Sequence, residues 1–415
     1  RFDIHNILYS IFKFNKTLNN LEIQNIISKH KKEDVSFLNN VTLNSMRFHL
    51  HASKIINRYV KKSLRDKEKI LLISAITQIV FLNFKEYAVI NCSVEIAKKL
   101  NIYHGLINAV LKNICEDKEK LKKIKIKFND FPVWFKNKAN SLTLTEKNLF
   151  LKNYNTEPNL HIVFKDKQSL EEFEEELILT SEVSGFLTRR KDIKEIESFK
   201  KGEWWVQDFS ASIPVKLLGS IDGLTALDVC SAPGGKAMQL ASRGAQVTSI
   251  EISKRRARQL FQNLSRTKLT ADIVIQDICK FDIKQLFDLV LVDAPCSATG
   301  TIRRNCELQY LEPFKRIDSL VEQQKKILKK AMCFVKPGGR LIYSTCSLFP
   351  SEGEKIIEEI LQNFKNWRQQ LISGKSLGIR PEWIDRHGGL RLRPDFWDSF
   401  GVMDGFYVAI LLREK

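Results

Sequence analysis

Residues 225–236 have the sequence Thr-Ala-Leu-Asp-Val-Cys-Ser-Ala-Pro-Gly-Gly-Lys. Ala226 to Val229 form a short apolar run that is typical of a strand, and the residues from Ala237 onward follow a helical pattern. Gly234 and Gly235 allow the backbone to approach a ligand, and the free N–H groups at the helix start would face it. The same glycines could also serve only to end the strand. With the helix that follows, they favour a loop that binds a nucleotide-sized ligand.

Two common nucleotide-binding loops do not fit this stretch. Lys236 is followed by Ala237, whereas a P-loop needs Ser or Thr at that position for magnesium. The glycine spacing also differs from the GxGxxG pattern of dinucleotide-binding proteins. A third kind of adenosine-containing ligand is therefore expected.

The chain of 415 residues is long enough for two or three domains, and it is strongly basic. It has 67 Lys and Arg against 48 Asp and Glu, a formal net charge of +19. This excess favours a polyanionic partner, most often a nucleic acid, although a lysine-rich composition with solvated faces remains the alternative. Basic residues recur on the predicted solvent faces of the first helices, where they would suit phosphate contacts. They are Lys54, Arg58, Lys61, Lys62, Arg65 and Lys67.

The eight cysteines form neither a CxxC pair nor a Cys/His zinc pattern, so reduced thiols and no bound metal are expected. No signal peptide is recognised at the start of the sequence. The longest apolar run, residues 70–84, is interrupted by polar residues and predicts a buried helix and not a membrane span. A cytoplasmic protein is expected.

The pattern of residue types along the chain predicts three domains. Residues 1–125 show helical periodicity with almost no glycine, which predicts an all-α bundle. Residues 126–205 predict a small α+β domain with a strand at 160–164 and an acidic helix around 171–177. In residues 206–415 strands and helices alternate, which predicts a parallel sheet covered on both faces, with ligands at the carboxyl ends of its strands.

Acidic residues occur where such a sheet would bind an adenosine. Asp228, Glu251, Asp277 and Asp293 each lie at or just past the end of a predicted strand. Glu251 follows Asp228 by 23 residues, close to the offset at which an acid holds the hydroxyls of a ribose. Asp277 could accept a hydrogen bond from an adenine amino group. A single strand-end acid is often merely solvated, but four in register favour the adenosine site.

Two cysteines are predicted at the same edge of the sheet. Cys296 follows the fourth predicted strand in Asp-Ala-Pro-Cys, and Cys346 ends the fifth in Ser-Thr-Cys. Adjacent strand ends would place both thiols over one cleft. Most lone cysteines are inert buried residues, which is the interpretation favoured for Cys92, Cys115, Cys279 and Cys333. A redox dithiol is possible, but it would not need the adenosine site.

A thiolate, an acid and an adenosine cofactor together suit the methylation of a pyrimidine carbon. A thiolate that adds to carbon 6 of cytosine makes carbon 5 nucleophilic, and an acid at ring nitrogen 3 helps the addition. A base must afterwards take the proton from carbon 5 so that the thiol can leave. Since no histidine is placed for this step, Asp293 and a second cysteine are the candidates.

Four motifs resemble those of the RNA cytosine-5 methyltransferases of the Nol1/Nop2/Sun group. They are Asp-Val-Cys-Ser-Ala-Pro-Gly-Gly-Lys at 228–236, Asp-Ala-Pro-Cys-Ser-Ala-Thr-Gly at 293–300, Thr-Cys-Ser at 345–347 and Asp-Gly-Phe-Tyr-Val-Ala at 404–409. Residues 88–111 resemble the RNA-binding NusB fold. This pairing narrows the resemblance to the bacterial branch that methylates 16S ribosomal RNA. The implied fold is an all-α NusB-like domain, a small α+β domain and a Rossmann-like methyltransferase domain.

The resemblance implies a role for each candidate site residue. Cys346 would be the nucleophile, Cys296 would assist release of the methylated RNA, and Asp293 would reach the target base. The pocket for S-adenosylmethionine would be lined by Cys230, Ser231, Ala232, Pro233, Gly234, Gly235, Lys236, Glu251, Asp277 and Asp293. The partner would be 16S rRNA, free or in an early assembly intermediate, bound by a monomer.

Some positions depart from the family pattern. These are Ser231, Glu251, Ala298, the segment Asn305-Cys306-Glu307 and the strand at 160–164. Lys236 could be a solvated helix residue, and Arg303 and Arg304 are expected to contact phosphates. Another RNA such as tRNA, or a non-catalytic RNA-binding or ribosome-assembly role, remains an alternative.

Overall fold

The computed structural model describes residues 1–189, 192–310, 314–373, 377–397 and 401–415. The chain forms two compact units. Unit 1 comprises residues 1–156 and 302–313, and unit 2 comprises residues 157–301 and 314–415. The division into domains at 1–125, 126–205 and 206–415 stays a prediction.

Unit 1 is helical, which confirms the prediction for the first part of the chain. Its helices are α1 (Phe2–Phe14), α2 (Leu21–Ile27), α3 (Lys32–Arg47), α4 (His49–Tyr59), α5 (Asp66–Ile76), α6 (Glu86–Lys99), α7 (His104–Glu116), α8 (Lys118–Leu121), α9 (Val133–Lys138) and α10 (Leu144–Asn153). Helix α5 is buried along most of its length, from Ile70 to Ile76, and continues into a π-helical turn, Thr77–Phe81. The apolar run 70–84 is thus a core helix, as predicted. No helix among the described residues is long and apolar enough to span a membrane.

Residues 302–310 pack into unit 1 although they directly follow the motif at 293–300, which belongs to unit 2. Cys306 belongs to the same buried cluster as Ile4 and Val41 of helices α1 and α3. The Tyr310 hydroxyl donates to the Met46 carbonyl oxygen at 2.7 Å. Arg303 is only 1% exposed, so the expectation that it contacts phosphates is wrong. Its guanidinium donates instead to the carbonyl oxygen of Thr156.

The first part of unit 2 is a four-stranded antiparallel sheet with the order β2-β3-β1-β4. Its elements are β1 (Leu160–Phe164), α11 (Lys167–Glu171), β2 (Leu177–Ser181), β3 (Ser184–Leu187), α12 (Glu197–Lys201) and β4 (Trp204–Val206). The strand predicted at 160–164 is confirmed, but the acidic helix predicted over 171–177 is wrong. Helix α11 ends at Glu171, and Leu177 begins a strand that pairs with Leu187 in a hairpin. Pairing across this hairpin overrides the helical propensity of the glutamates.

The larger sheet of unit 2 has eight strands. Its elements in chain order are α13 (Phe209–Lys216), β5 (Thr225–Val229), α14 (Gly235–Ser242), β6 (Gln246–Ile250), α15 (Lys254–Thr267), β7 (Asp272–Val274), β8 (Phe287–Asp293), α16 (Phe314–Met332), β9 (Val335–Thr345), α17 (Glu354–Asn363), β10 (Trp367–Gln370), β11 (Leu390–Leu392) and β12 (Phe406–Arg413). The order is β10-β12-β9-β8-β5-β6-β7, with β11 paired to β12. Buried apolar clusters lie on both faces, one with Ala226 and the other with Leu227 and Val229.

The five strands from β9 to the edge strand β7 are parallel, whereas β12 and β10 run antiparallel to their neighbours. This mixed sheet confirms the predicted α/β class and corrects the expectation of a wholly parallel sheet. The register aligns Val229 with Ile250 on one side and with Val292 on the other. The carboxyl ends of β5, β6 and β8 therefore lie side by side, where the candidate acids were predicted.

Candidate functional site

The glycine loop between β5 and α14 is held in an unusual backbone path. Cys230 and Gly234 have φ of 62° and 110°, and the second value suits glycine because it has no Cβ. A Cβ at Gly234 would lie 2.6 Å from a methyl carbon of Leu260. The loop is therefore packed closely against helix α15.

Asp228 lies beneath this loop. Its Oδ2 accepts a hydrogen bond of 2.6 Å from the Ser231 hydroxyl, while its Oδ1 is buried and has no hydrogen-bond partner. Burial raises the pKa of Asp228 to about 7. The glycine loop thus covers an acid that has one unused acceptor oxygen.

Two cavities flank the loop at the carboxyl edge of the sheet. The first, of about 270 Å³, is lined by six predicted site residues, Cys230, Glu251, Asp277, Asp293, Cys296 and Cys346. The second, of about 390 Å³, is lined by Ser231, Ala232, Pro233, Gly235 and Lys236, with Asp293 shared between the two. Gly234 lines neither cavity. The structure therefore brings the predicted residues to one edge but divides them between two adjoining cavities.

Glu251 and Asp277 both line the first cavity, but they differ in burial and in hydrogen bonding. Glu251 is 1% exposed; its Oε1 accepts from the Ser253 backbone N–H at 2.9 Å, and its Oε2 accepts no hydrogen bond. That Oε2 lies 3.4 Å from the guanidinium of Arg256, which also donates to the carbonyl oxygen of Ala232. Asp277 is half-buried, and one of its carboxylate oxygens accepts from the Cys279 N–H. Glu251 Oε2, which accepts no hydrogen bond, suits a ligand hydroxyl.

Lys236 forms an ion pair with Asp293 where the two cavities meet. Its Nζ lies 2.8 Å from Asp293 Oδ2, and the residue is only 7% exposed. Asp293 Oδ1 accepts from the Ser344 hydroxyl at 3.1 Å. The alternative that Lys236 is a solvated helix residue is therefore wrong.

The Cys296 and Cys346 sulfurs lie 3.4 Å apart and form no disulfide. The hydrogen bond to Cys346 and burial raise the pKa of Cys296 well above the usual range of a thiol, and the nearby Glu352 carboxylate adds to this effect. Cys296 is therefore held as a thiol beside the second sulfur.

Sequence reasoning missed Glu352, which is hydrogen-bonded to the residue after each of the two cysteines. Its carboxylate accepts from the backbone and hydroxyl of Ser297 and from the hydroxyl of Ser347. Glu352 lies in a short turn, Pro350–Glu352, before α17. Only the three-dimensional structure shows that this residue points inward.

The four cysteines that were interpreted as inert buried residues are not buried in the structure. Cys279 and Cys333 are exposed, and Cys92 and Cys115 are half-buried. Within the described ranges no group of three or more His, Cys, Asp or Glu could hold a metal ion.

Two family models match the chain in the regions just described. Residues 215–412 match the model of the 16S rRNA methyltransferase RsmB/F, and residues 4–116 match the NusB family. Residues 215–412 are an RsmB/F family 16S rRNA methyltransferase domain, and residues 4–116 are a NusB family domain. The resemblance proposed from the motifs is thereby confirmed at the level of the family.

Curated relatives align with this chain over most of their length. The ribosomal RNA small subunit methyltransferase B of Pasteurella multocida is 29% identical over 80% of this chain and 80% of its own. The protein of the same name from Vibrio vulnificus is 26% identical over 99% and 98%.

Solved structures show the same fold. The crystal structure of PH0851 covers 100% of this chain and 98% of its own, with a TM-score of 0.73 at 20% identity. A methyltransferase homolog from Pyrococcus horikoshii covers 68% of this chain and 99% of its own, with a TM-score of 0.52 at 23% identity.

S-adenosylmethionine is the cofactor of this methyltransferase family, and the residues present fit it. When bound, it supplies an activated methyl group. The unused oxygen of Glu251 can accept from a ribose hydroxyl, and Ile250, Ile252 and Ile278 give the cavity apolar walls for a flat base. The unused oxygen of Asp228, in the adjoining cavity, can accept from a further donor.

Proposed function

We propose that this RsmB/F family member methylates carbon 5 of a cytosine in 16S rRNA through a covalent bond between Cys346 and carbon 6. The single observation that carries the proposal is the pair of sulfurs, 3.4 Å apart, in a cavity that also contains Asp293 and Glu251. The expected target is a cytosine such as nucleotide 967 of 16S rRNA.

The cofactor is assigned to the glycine loop and the three acids that follow strands β6, β7 and β8. In this assignment Cys230 to Lys236 border the cofactor, Glu251 accepts from its ribose, and Asp277 accepts from its adenine amino group. Asp293 lies between this group and the sulfurs, and its Oδ2 is fixed by Lys236 at 2.8 Å. The shared position of Asp293 on both cavities supports its contact with the target base.

The chemical steps use the two cysteines in different roles. The Cys346 thiolate adds to carbon 6, and the electron pair of the ring becomes available at carbon 5, where the methyl group is accepted. The proton on carbon 5 then passes to a base in the site, for which Asp293 and Cys296 are candidates; Cys296 can take this role only after its own thiol proton has left. The bond between Cys346 and carbon 6 breaks as this proton leaves, which restores the ring.

The substrate is proposed to be 16S rRNA, free or in an early assembly intermediate, bound by a monomer in the cytoplasm without a metal ion. The net charge of +19 and the NusB family domain support an RNA partner. A purely structural role in ribosome assembly would not require two thiols and four acids at one edge of the sheet.

Bisulfite sequencing of 16S rRNA tests this function. RNA from cells that lack the protein is incubated with the purified enzyme and S-adenosylmethionine. We expect one cytosine to become resistant to conversion with the wild-type protein, and none with Cys346→Ser. Methylation that persists in Cys346→Ser, or no resistant cytosine with wild type, would contradict the proposal.

A further inference from the structure

One buried carboxylate joins the two turns that carry the sulfurs. Glu352 has an exposed fraction of 0% and lies in the turn Pro350–Glu352, between strand β9 and helix α17. It does not line the cavity that contains the sulfurs. It is therefore buried outside the lining of this cavity.

The hydrogen bonds of this carboxylate reach the residue next to each sulfur. Glu352 Oε1 accepts from the Ser297 backbone N–H at 2.8 Å, and Oε2 accepts from the Ser297 hydroxyl at 2.5 Å. Oε2 also accepts from the Ser347 hydroxyl at 2.6 Å. Ser297 follows Cys296, and Ser347 follows Cys346. Hydrogen bonds to a charged acceptor are short and strong, so both turns are fixed to one group.

Hydrogen bonds also connect the residues that precede the two cysteines to Glu352 or to its partner Gln324. The Gln324 amide of helix α16 donates to Glu352 Oε1 at 3.0 Å and to the Pro295 carbonyl oxygen at 2.8 Å. The Thr345 hydroxyl donates to the Glu352 carbonyl oxygen at 3.1 Å. A buried carboxylate is costly unless its oxygens are satisfied in this way. Its full set of donors therefore favours one fixed arrangement of the two turns.

We propose that Glu352 is a positioning residue that holds the Cys296 and Cys346 sulfurs side by side. The link to catalysis rests on the proposed function, whereas the distance between the sulfurs is a property of the protein alone. The Glu352 carboxylate accepts hydrogen bonds from Ser297, Ser347 and Gln324, and Glu352 acts on the sulfurs through Ser297 and Ser347. Its charge adds to the effects that keep Cys296 protonated.

Oxidation by diamide measures the distance between the sulfurs without RNA or cofactor. Diamide takes two electrons and two protons from the Cys296 and Cys346 thiols and becomes the hydrazine, while a disulfide forms. Because two sulfurs 3.4 Å apart need only a small approach, the wild-type disulfide should form rapidly. Alkylation of the remaining thiols and peptide mass spectrometry then identify the pair and its rate of formation.

Two substitutions of Glu352 distinguish the effect of its hydrogen bonds on the rate of disulfide formation from the effect of its charge. We expect Glu352→Ala to slow the disulfide about tenfold or more, because both turns lose their common acceptor. Glu352→Gln should stay within about threefold of wild type, since its amide can still accept from Ser297 and donate to the serine hydroxyls. Glu359→Gln is the matched control, because this partly exposed acid of α17 pairs with Lys325 on the surface.

The methylation reaction gives a second readout. Glu352→Ala should lower kcat about 100-fold, the effect of a misplacement of about 1 Å, and leave the KM for RNA and for S-adenosylmethionine unchanged. A wild-type rate of disulfide formation in Glu352→Ala would overturn the proposal. Equal slowing in Glu352→Gln would also overturn it, because charge and not position would then be responsible.

A variant that removes only hydroxyl groups covers the case in which Glu352→Ala does not fold. The double variant Ser297→Ala/Ser347→Ala leaves Oε2 without these donors and should also slow the disulfide, and a wild-type rate would overturn the proposal. If the wild-type protein forms the disulfide at the expected rate but methylates no cytosine, the proposed function fails and the positioning role stands. If the wild-type pair forms no disulfide, the positioning role fails.

Discussion

At the scale of single residues, the sequence predicted which acids and thiols meet but not how they are held. Asp228, Glu251 and Asp293 follow apolar strands, so their place at the sheet edge could be predicted from strand position alone. The ion pair between Lys236 and Asp293 could not, because it depends on how α14 packs over β8. The inward turn of Glu352 depends on tertiary contacts in the same way.

Asp228 gives a prediction about stability and pH. Its folded pKa of about 7 lies above the usual value near 4, so the folded protein binds this proton more tightly than the unfolded chain. The contribution of Asp228 to stability is therefore lost as pH rises from about 4 to 7. Asp228→Asn removes this penalty, and without cofactor it should stabilise the protein at pH 8 by up to about 4 kcal/mol.

Thermal denaturation between pH 4 and pH 8 measures this effect. We expect the melting temperature of Asp228→Asn to exceed that of wild type at pH 8 and to converge with it near pH 4. A difference that is independent of pH would show that Asp228 is not the titrating group.

At the scale of elements, strands were predicted better than the boundaries between helices and turns. The strand Phe287–Asp293 ends at Asp293, as predicted, because it is an apolar run that ends in an acid. The stretch 171–177 was mistaken for a helix, because its glutamates favour helix locally and its pairing with β3 is not visible in the sequence. The attachment of residues 302–310 to unit 1 was also missed, since a short apolar segment does not show which core it joins.

Tyr310 tests that attachment. Its hydroxyl donates to the Met46 carbonyl oxygen at 2.7 Å, and its ring packs edge-on against Phe12 at 4.7 Å between centroids. Tyr310→Phe should destabilise unit 1 by about 1 kcal/mol through the lost hydrogen bond. Tyr310→Ala should cost about 3 kcal/mol, because the ring contact is also lost.

Hydrogen exchange of the amides in α1 and α3 measures this, since a chain with two units need not unfold in one transition. Tyr87→Ala is the control, because Tyr87 is 65% exposed and should leave exchange unchanged. Unchanged protection of α3 in Tyr310→Ala would contradict the attachment.

At the scale of the whole molecule, composition predicted the class of partner, and the motifs predicted the chemistry. A net charge of +19 is an argument about polyanions and does not identify an RNA. The identity of the family came from four motifs and the NusB-like region, and both family models agree with it. The nucleotide that is methylated does not follow from either, because it depends on the shape of the RNA.

The charge predicts a steep dependence of RNA binding on salt. If at least four phosphates are neutralised, the affinity for 16S rRNA should fall about 100-fold or more between 50 and 200 mM salt. Filter-binding titrations measure the slope. Replacing the exposed Arg58, Lys61 and Lys62 by Gln should reduce this slope if they contact phosphates, and a flat titration with wild type would contradict an electrostatic interface.

The most direct measurement is the trapping of a covalent complex between the protein and 16S rRNA on a denaturing gel, in the presence of S-adenosylmethionine. Cys296→Ala should accumulate the complex, because the bond from Cys346 to the base forms but is not released. Cys346→Ala should form none. If the two variants behave alike, or if the complex forms without Cys346, the assignment of nucleophile and release residue is contradicted.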